Sequence, residues 1–417
     1  QEAMTSLAGL EVSWAFGGHP LELLEGTDLV CLSGGIPLTL PIVLETVRRG
    51  ILLSNDTEIF MAAVPCKTIG ITGSAGKTTT TTLVGRMAEH FIQAPHKSYV
   101  GGNIGLPLIN FVDKMTADDL VILEISSFQL EQMTHSPNIA AVLNITPNHL
   151  DRHGTMEAYT AAKARILQFQ DTESVAILNR EDPGAWDLAG TVKGHLVTFG
   201  LAIPPAGITG TYIADDMLYI SDGEHSQPIM SRDTVRLRGE HNLINVLAAC
   251  AIAYGAGMSL EAMQAGVVNF TGVAHRLEYV TTYHGADWYN DSIATAPERV
   301  MAAIHSFDEP LVLMVGGRDK KLPWEAFATM VHQRVDHLVV FGEAAEKILS
   351  AVGPARVGSR PYSISHCSNL QEAVQAAAEI VEPGDVVLLS PGGTSFDEFQ
   401  DFEERGEYFR KWVKQLL

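Results

Sequence analysis

The stretch Gly70-Ile-Thr-Gly-Ser-Ala-Gly-Lys-Thr78 leaves the chain around it few folds to choose from. An apolar run, Thr68 to Ile71, leads into it, and beyond it Leu83, Val84, Met87 and Phe91 recur at helical spacing. A strand, a glycine-rich loop and a helix in that order make a turn that can wrap an anion. The glycines allow close backbone approach, and the helix start aims N–H groups at the anion. Lys77 can neutralise β- and γ-phosphates while the Thr78 hydroxyl reaches Mg²⁺. Ile71 stands where the strict G-x-x-x-x-G-K-T pattern has its first glycine, so a plain strand-to-helix turn stays open as the alternative.

The same alternation returns along the chain. Leu120 to Leu123 precedes Glu124-Ile-Ser-Ser127, and Ile139 to Leu143 precedes Asn144. Leu311 to Val315 precedes Gly316-Gly317, and Val386 to Leu389 precedes Ser390-Pro-Gly-Gly393. Apolar run, polar turn and helix in repetition predict βαβ units, an α/β class, and ligands beyond the strand C-termini. With 417 residues, at roughly 150 per domain, two or three domains are expected. Composition shifts put the boundaries at 1–62, 63–271 and 272–417, with a β-meander from about Phe199 to Arg238 late in the middle domain.

The balance of 28 Lys+Arg against 49 Asp+Glu gives a formal charge of −21, which repels nucleic acid and anionic membranes at long range. A confined anion site is compatible with it. Cys31, Cys66, Cys250 and Cys367 are far apart without a C-x-x-C pair, which suggests neither a disulfide framework nor a zinc cluster and fits a reducing cytosol. No apolar run approaches the roughly 18 residues of a membrane helix. A cytoplasmic protein is therefore expected.

Glu124 ends an apolar strand beside the loop. It is placed either to hold Mg²⁺ or to bond a neighbouring loop. His149, after the next strand, is placed to bind a second metal ion, to polarise a phosphate, or to be a satisfied core histidine. Lys163 falls on a helix that Thr155 can cap. It is a solvated lysine, or a metal ligand if its amine is carbamylated.

Several motifs then follow one another in a recognisable order. They are Gly70 to Thr79, Gly102-Asn-Ile-Gly105, Glu124-Ile-Ser-Ser-Phe-Gln129, Asn144-Ile-Thr-Pro-Asn-His-Leu-Asp151, Gly239-Glu-His-Asn-Leu-Ile-Asn245, His275-Arg-Leu-Glu278 and Tyr289-Asn-Asp-Ser292. Over nearly its whole length the chain resembles the ATP-dependent Mur ligases. Through Ser390-Pro-Gly-Gly-Thr-Ser-Phe-Asp-Glu-Phe-Gln-Asp-Phe-Glu-Glu-Arg-Gly406 it is most similar to the branch that adds D-glutamate to UDP-N-acetylmuramoyl-L-alanine.

The resemblance implies three domains: a Rossmann-like N-terminal domain, a central P-loop ATPase-like domain and a Rossmann-like C-terminal domain. It implies a cytoplasmic, monomeric enzyme of cell-wall peptidoglycan synthesis whose partners are ATP, Mg²⁺, glutamate and the UDP-substrate. Gly73, Gly76, Lys77, Thr78 and Thr79 would meet the ATP phosphates and Mg²⁺. Glu124, His149 and a carbamylated Lys163 would be metal ligands, and Asn103 would hold substrate and catalytic groups. Asn242 and Asn245 would meet adenine, Arg276 the γ-phosphate and Asp291 the ribose. Ser33 and Gly34 would contact the UDP group, and Thr295, Lys320, Ser395 and Phe402 the amino acid.

Two departures qualify these expectations. The segment before Ser33 is some ~40 residues shorter than a complete first domain of this kind, so its first strand is expected to be missing. Ile293 stands where the D-glutamate branch commonly carries Lys, which leaves an L-glutamate-adding variant, or an inactive nucleotide-binding relative, as alternatives. Phe396, Phe399 and Phe402 have the spacing of a core-facing helix stripe, which competes with a binding role for Phe402.

Overall fold

The computed structural model describes residues 10–33, 36–104, 107–148, 150–320 and 322–417. The chain forms two compact units. One holds the residues up to Val235 together with Ile244–Val268, the other Arg236–Leu243 and Asn269–Leu417.

The first unit opens with a parallel pair, β1 (Leu29–Cys31) and β2 (Leu52–Ser54), joined through the helix Pro41–Arg48 over a small core of Leu24, Leu32, Ile42 and Val43. The next helix, Asp56–Ala63, sends Phe60 and Met61 into the core of the larger sheet that follows. That sheet comprises β3 (Lys67–Thr72), β4 (Ser98–Gly102), β5 (Leu120–Glu124), β6 (Ile139–Val142), β7 (Val175–Asn179) and β8 (His195–Phe199). It continues through β9 (Gly210–Ala214), β10 (Met217–Ser221) and β11 (Ser226–Ser231). Its order is β11-β10-β9-β8-β7-β6-β3-β5-β4, so the expected meander is the antiparallel extension of one continuous sheet. The strands around β3 run parallel and are covered on both faces, which is why β5 and β6 read as unbroken apolar runs. β3 lies between β5 and β6. The loop after Thr72 therefore opens where the strand order reverses, the crevice in which open α/β sheets bind ligands.

The second unit is a six-stranded sheet of β12 (Glu278–Tyr283), β13 (Ala286–Asn290), β14 (Leu311–Gly316), β15 (His337–Phe341), β16 (Ser363–Cys367) and β17 (Val386–Gly392), in the order β12-β13-β17-β14-β15-β16. All neighbours are parallel except the β12–β13 hairpin. Ile304, Trp324, Phe327 and Ile348 pack on one face, Leu370, Val374, Phe409 and Val413 on the other. Among the described residues no helix is long and apolar enough to cross a membrane.

Candidate active site

Gly76 caps the helix Lys77–Phe91 with φ +82°, and a Cβ there would stand 2.3 Å from Asn245 Oδ1. Only glycine fits both the left-handed backbone and the neighbour. Asn245 is buried against the loop itself. The residues after β6 hold the rest of the loop. Asn144 accepts the Ala75 N–H on Oδ1 at 2.8 Å and the Ser74 N–H on its carbonyl at 3.0 Å. Ser74 Oγ donates to Thr146 O at 2.9 Å and lies 3.0 Å from the Tyr159 hydroxyl. The backbone is thus preorganised, and Lys77 Nζ folds back over it to donate to Gly73 O at 2.9 Å. Gly76→Ala is expected to cost about 1 to 2 kcal/mol of stability from the left-handed backbone alone. Displacement of Asn245 should add a roughly tenfold or larger rise in the KM for ATP. Urea melts and ATP titrations of the assay check both, and a variant equal to the parent in both would contradict the close packing.

Glu124, at the end of β5, is 2% exposed. Its Oε1 accepts from Asn103 Nδ2 at 2.9 Å, and its carbonyl accepts the Asn103 N–H at 2.8 Å. Gly102 permits this approach, because with φ +96° a Cβ would fall 2.3 Å from Glu124 O. Glu124 Oε2 is buried with no hydrogen-bond partner among the described residues. A buried carboxylate oxygen left without a donor suits a cation. No three His, Cys, Asp or Glu side chains converge among the described residues. The donor set fits Mg²⁺, which takes one or two carboxylates and completes its shell with phosphates and water. His149 and Gly34 lie outside the described residues. Ser33 is exposed, and its carbonyl accepts the Ile36 N–H at 3.0 Å.

Lys163 rides on the helix Met156–Gln168, which Thr155 caps by accepting the Ala158 N–H at 3.2 Å. It is not solvated. At 1% exposure its Nζ donates to Gly73 O at 2.9 Å and lies 4.7 Å from the centre of the Tyr159 ring. Among the described residues no carboxylate forms an ion pair with it. Burial, and then the charge of Lys77, pull its pKa down to about 7, so a large share of the amine is neutral at physiological pH. Tyr159 escaped the sequence reading, although its spacing of four residues from Lys163 puts the two on one helix face. His153 escaped too. It is held between Ser127 Oγ at 3.0 Å and Glu131 Oε1 at 3.0 Å and stacks on Phe128.

In the second unit, loops leaving three neighbouring strands, β13, β17 and β14, bring Thr295, Ser395 and Lys320 to one edge. Lys320 Nζ donates to Thr295 Oγ1 at 3.1 Å, and Ser395 is 2% exposed. Asp291 accepts from Ser390 Oγ at 2.9 Å and from the Leu277 N–H at 3.2 Å, and burial pushes its pKa up to about 7. Both its oxygens are thus engaged inside its own unit. Asn242 Nδ2 donates to Arg238 O at 2.7 Å. Arg276 follows His275, whose φ is +63°.

The Phe stripe is corrected. Asp401 caps the last helix, Phe402–Lys414, so Phe396 and Phe399 precede it in a loop. Phe396 is 58% exposed, while Phe399 packs on Tyr408 and Trp412. Phe402 starts the helix, its carbonyl accepting from Ser292 Oγ at 2.8 Å and its ring meeting His275 edge-on. The sequence reading also missed Arg405, which is 1% exposed. Its guanidinium donates to Ser292 Oγ at 2.9 Å, Ser292 O at 2.8 Å and Gly393 O at 3.1 Å.

Residues 71–253 match the Mur ligase middle domain, and residues 275–393 match the Mur ligase, glutamate ligase domain. The chain is 41% identical over 415 residues to the UDP-N-acetylmuramoylalanine–D-glutamate ligase of Symbiobacterium thermophilum, covering 100% of this chain and 90% of that protein. The chain belongs to the Mur ligase family. This Mur ligase is an enzyme with the family's multi-domain α/β architecture. Its fold is similar to that of MurF from Acinetobacter baumannii, with a TM-score of 0.61 at 20% identity, covering 85% of this chain and 78% of that one. It is also similar to MurF from Thermotoga maritima, solved in complex with ADP, with a TM-score of 0.57 at 14% identity, covering 94% and 96%.

Proposed function

We propose that this Mur ligase consumes ATP to join D-glutamate to UDP-N-acetylmuramoyl-L-alanine in peptidoglycan precursor synthesis, releasing ADP and phosphate. The carboxylate of the L-alanyl group attacks the γ-phosphorus and expels ADP, giving an acyl phosphate. The glutamate amine then adds to the acyl carbon, loses its proton, and phosphate leaves. The observation that carries the reading is the joining, within one unit, of a preorganised phosphate loop to a buried carboxylate with one free oxygen, Glu124 Oε2. The full-length likeness to a D-glutamate ligase names the substrates.

The roles follow from chemistry. Lys77 and the loop N–H groups counter the charge that builds on the transferring phosphoryl, a step that needs positioning and electrostatics more than covalent help. Thr78 and Glu124 would hold Mg²⁺, with His149 and a carbamylated Lys163 beside them; the ion would neutralise phosphate charge when bound. Asn103 fixes the Glu124 carboxylate. Asn242 and Asn245 would meet adenine, Arg276 the γ-phosphate, and Asp291 the ribose once its hydroxyls displace the Ser390 hydroxyl. In this reading residues 1–62 bind the UDP group through Ser33 and Gly34, residues 63–271 bind ATP, and residues 272–417 bind the amino acid. The enzyme works as a cytoplasmic monomer.

A coupled assay for ADP release, with UDP-N-acetylmuramoyl-L-alanine and each glutamate enantiomer, tests the proposal. Release with D-glutamate and little with L-glutamate is expected. Release only with L-glutamate would transfer the enzyme to the L-glutamate-adding variant. Release with neither would overturn the proposed function.

A further inference from the structure

We propose that Arg299, standing beside Lys320 at the carboxyl edge of β13, β17 and β14, is the second cation that receives the carboxylates of the acceptor amino acid and helps set specificity for a dicarboxylate. The inference rests on the function proposed above and names a residue of the acceptor site that the sequence reading did not single out.

In a chain with 28 basic and 49 acidic residues, a cation near the surface has many acids to meet. Arg238, Arg318, Lys347, Arg360 and Arg410 of the same unit each hold an acidic partner. Arg299 and Lys320 hold none among the described residues; Arg334, Arg356, Lys411 and Lys414 hold none either, so what sets Arg299 and Lys320 apart is that both stand by Thr295. Lys320 bonds a neutral hydroxyl, Thr295 Oγ1 at 3.1 Å. Arg299 is exposed in the first turn of the helix Pro297–Ile304, just beyond Thr295.

The two cations also feel each other. Lys320 is bonded to Thr295, four residues before Arg299 and just ahead of its helix, and the charge of Arg299 disfavours the protonated form of Lys320, after burial and together with Arg405. Asp291 lies within the field of Arg299, but its oxygens are taken by Ser390 and the Leu277 N–H. Two like charges held together without an acid are unfavourable until an anion enters between them. Both follow the C-terminal ends of strands of this sheet, β13 and β14, as the buried Ser395 follows that of β17, their neighbour. An amino acid with two carboxylates gains a charge-assisted contact from each of two cations there. Ile293, in the same loop, supplies none.

The test is steady-state kinetics of ADP release at saturating ATP and UDP-substrate for the parent, Arg299→Gln and Arg299→Lys. Removal of a charge-assisted contact should raise the KM for D-glutamate roughly tenfold to a hundredfold in Arg299→Gln. Turnover and the KM for ATP should stay within about threefold, and Arg299→Lys should recover part of the loss. A KM for D-glutamate unchanged in Arg299→Gln, with an active parent, would overturn this inference alone. An equal rise in the KM for ATP would overturn it too, as a general distortion. A parent inert with both glutamates would remove the proposed function and the inference with it.

Discussion

Replacement of Lys163 by methionine should lower turnover by roughly a hundredfold or more while making the protein more stable at neutral pH. The two effects share one cause. Lys163 is buried beside Lys77 with its pKa held at about 7, against an ordinary 10.5. Below pH 7 both the folded and the unfolded chain carry the proton, and the full cost of burying that charge opposes folding. Between pH 7 and about 10.4 the unfolded chain binds the extra proton, so stability of the parent rises with pH through that window. Methionine fills a similar volume without charge. The variant should therefore exceed the parent by on the order of a few kcal/mol below pH 7, and the margin should shrink as pH rises toward 10. Urea denaturation across this range in CO₂-free buffer, where Lys163 is the bare amine, measures the margin. A partly neutral amine at pH 7 is also the form that adds CO₂. Labelled bicarbonate should give the parent a carbamate carbon signal in NMR that the variant lacks, and bicarbonate should not restore the variant's activity. A variant as active as the parent would end the assignment of Lys163 to the chemistry. A margin that does not vary with pH would end the account of its burial.

The parts of this enzyme that were legible in the sequence are those where backbone geometry restricts residue type. Gly76 needs a left-handed φ and has no room for a side chain, and the order of strand, loop and helix follows from the apolar run and the helical spacing around it. Glu124 was legible because it ends an apolar strand next to that loop. What pins it was legible only through the resemblance: Asn103 reaches it from just beyond β4, and no spacing rule connects residues that meet only because β4 and β5 are neighbours. Lys163 stayed open between a solvated lysine and a metal ligand, since helical periodicity reports which residues share a face but not that this face lies over Gly73. The Phe stripe held for Phe399, which packs on the core, and failed for Phe396 for a local reason. The aromatic spacing suggested one helix, but Asp401 sets its start five positions after Phe396 by accepting the Glu404 N–H at 2.7 Å.

Arg405→Met should destabilise the second unit by about 3 to 5 kcal/mol. Arg405 is a cation with almost no exposure, and burial lowers its pKa to about 10, with Asp397 and Glu398 opposing that shift. It therefore stays charged at neutral pH, and besides the field of Asp397 and Glu398 its compensation comes from three acceptors on two loops: Ser292 O, Ser292 Oγ and Gly393 O. Methionine removes the buried charge but leaves two carbonyls without donors in a site closed to water, and an unmet buried acceptor costs more than a hydrogen bond gains. The loops it frees carry Thr295 and Ser395, so the KM for the acceptor should rise along with the loss of stability. Lysine at this position keeps the charge but not the planar fork that serves both loops at once, and it should recover less than half of the stability. Trp288 and Trp324 are buried in the same unit and report its unfolding by fluorescence in a urea titration. A loss below about 1 kcal/mol would mean that the freed carbonyls find water or each other. The two loops would then be held by the sheet ends alone, and Arg405 would not position the acceptor site.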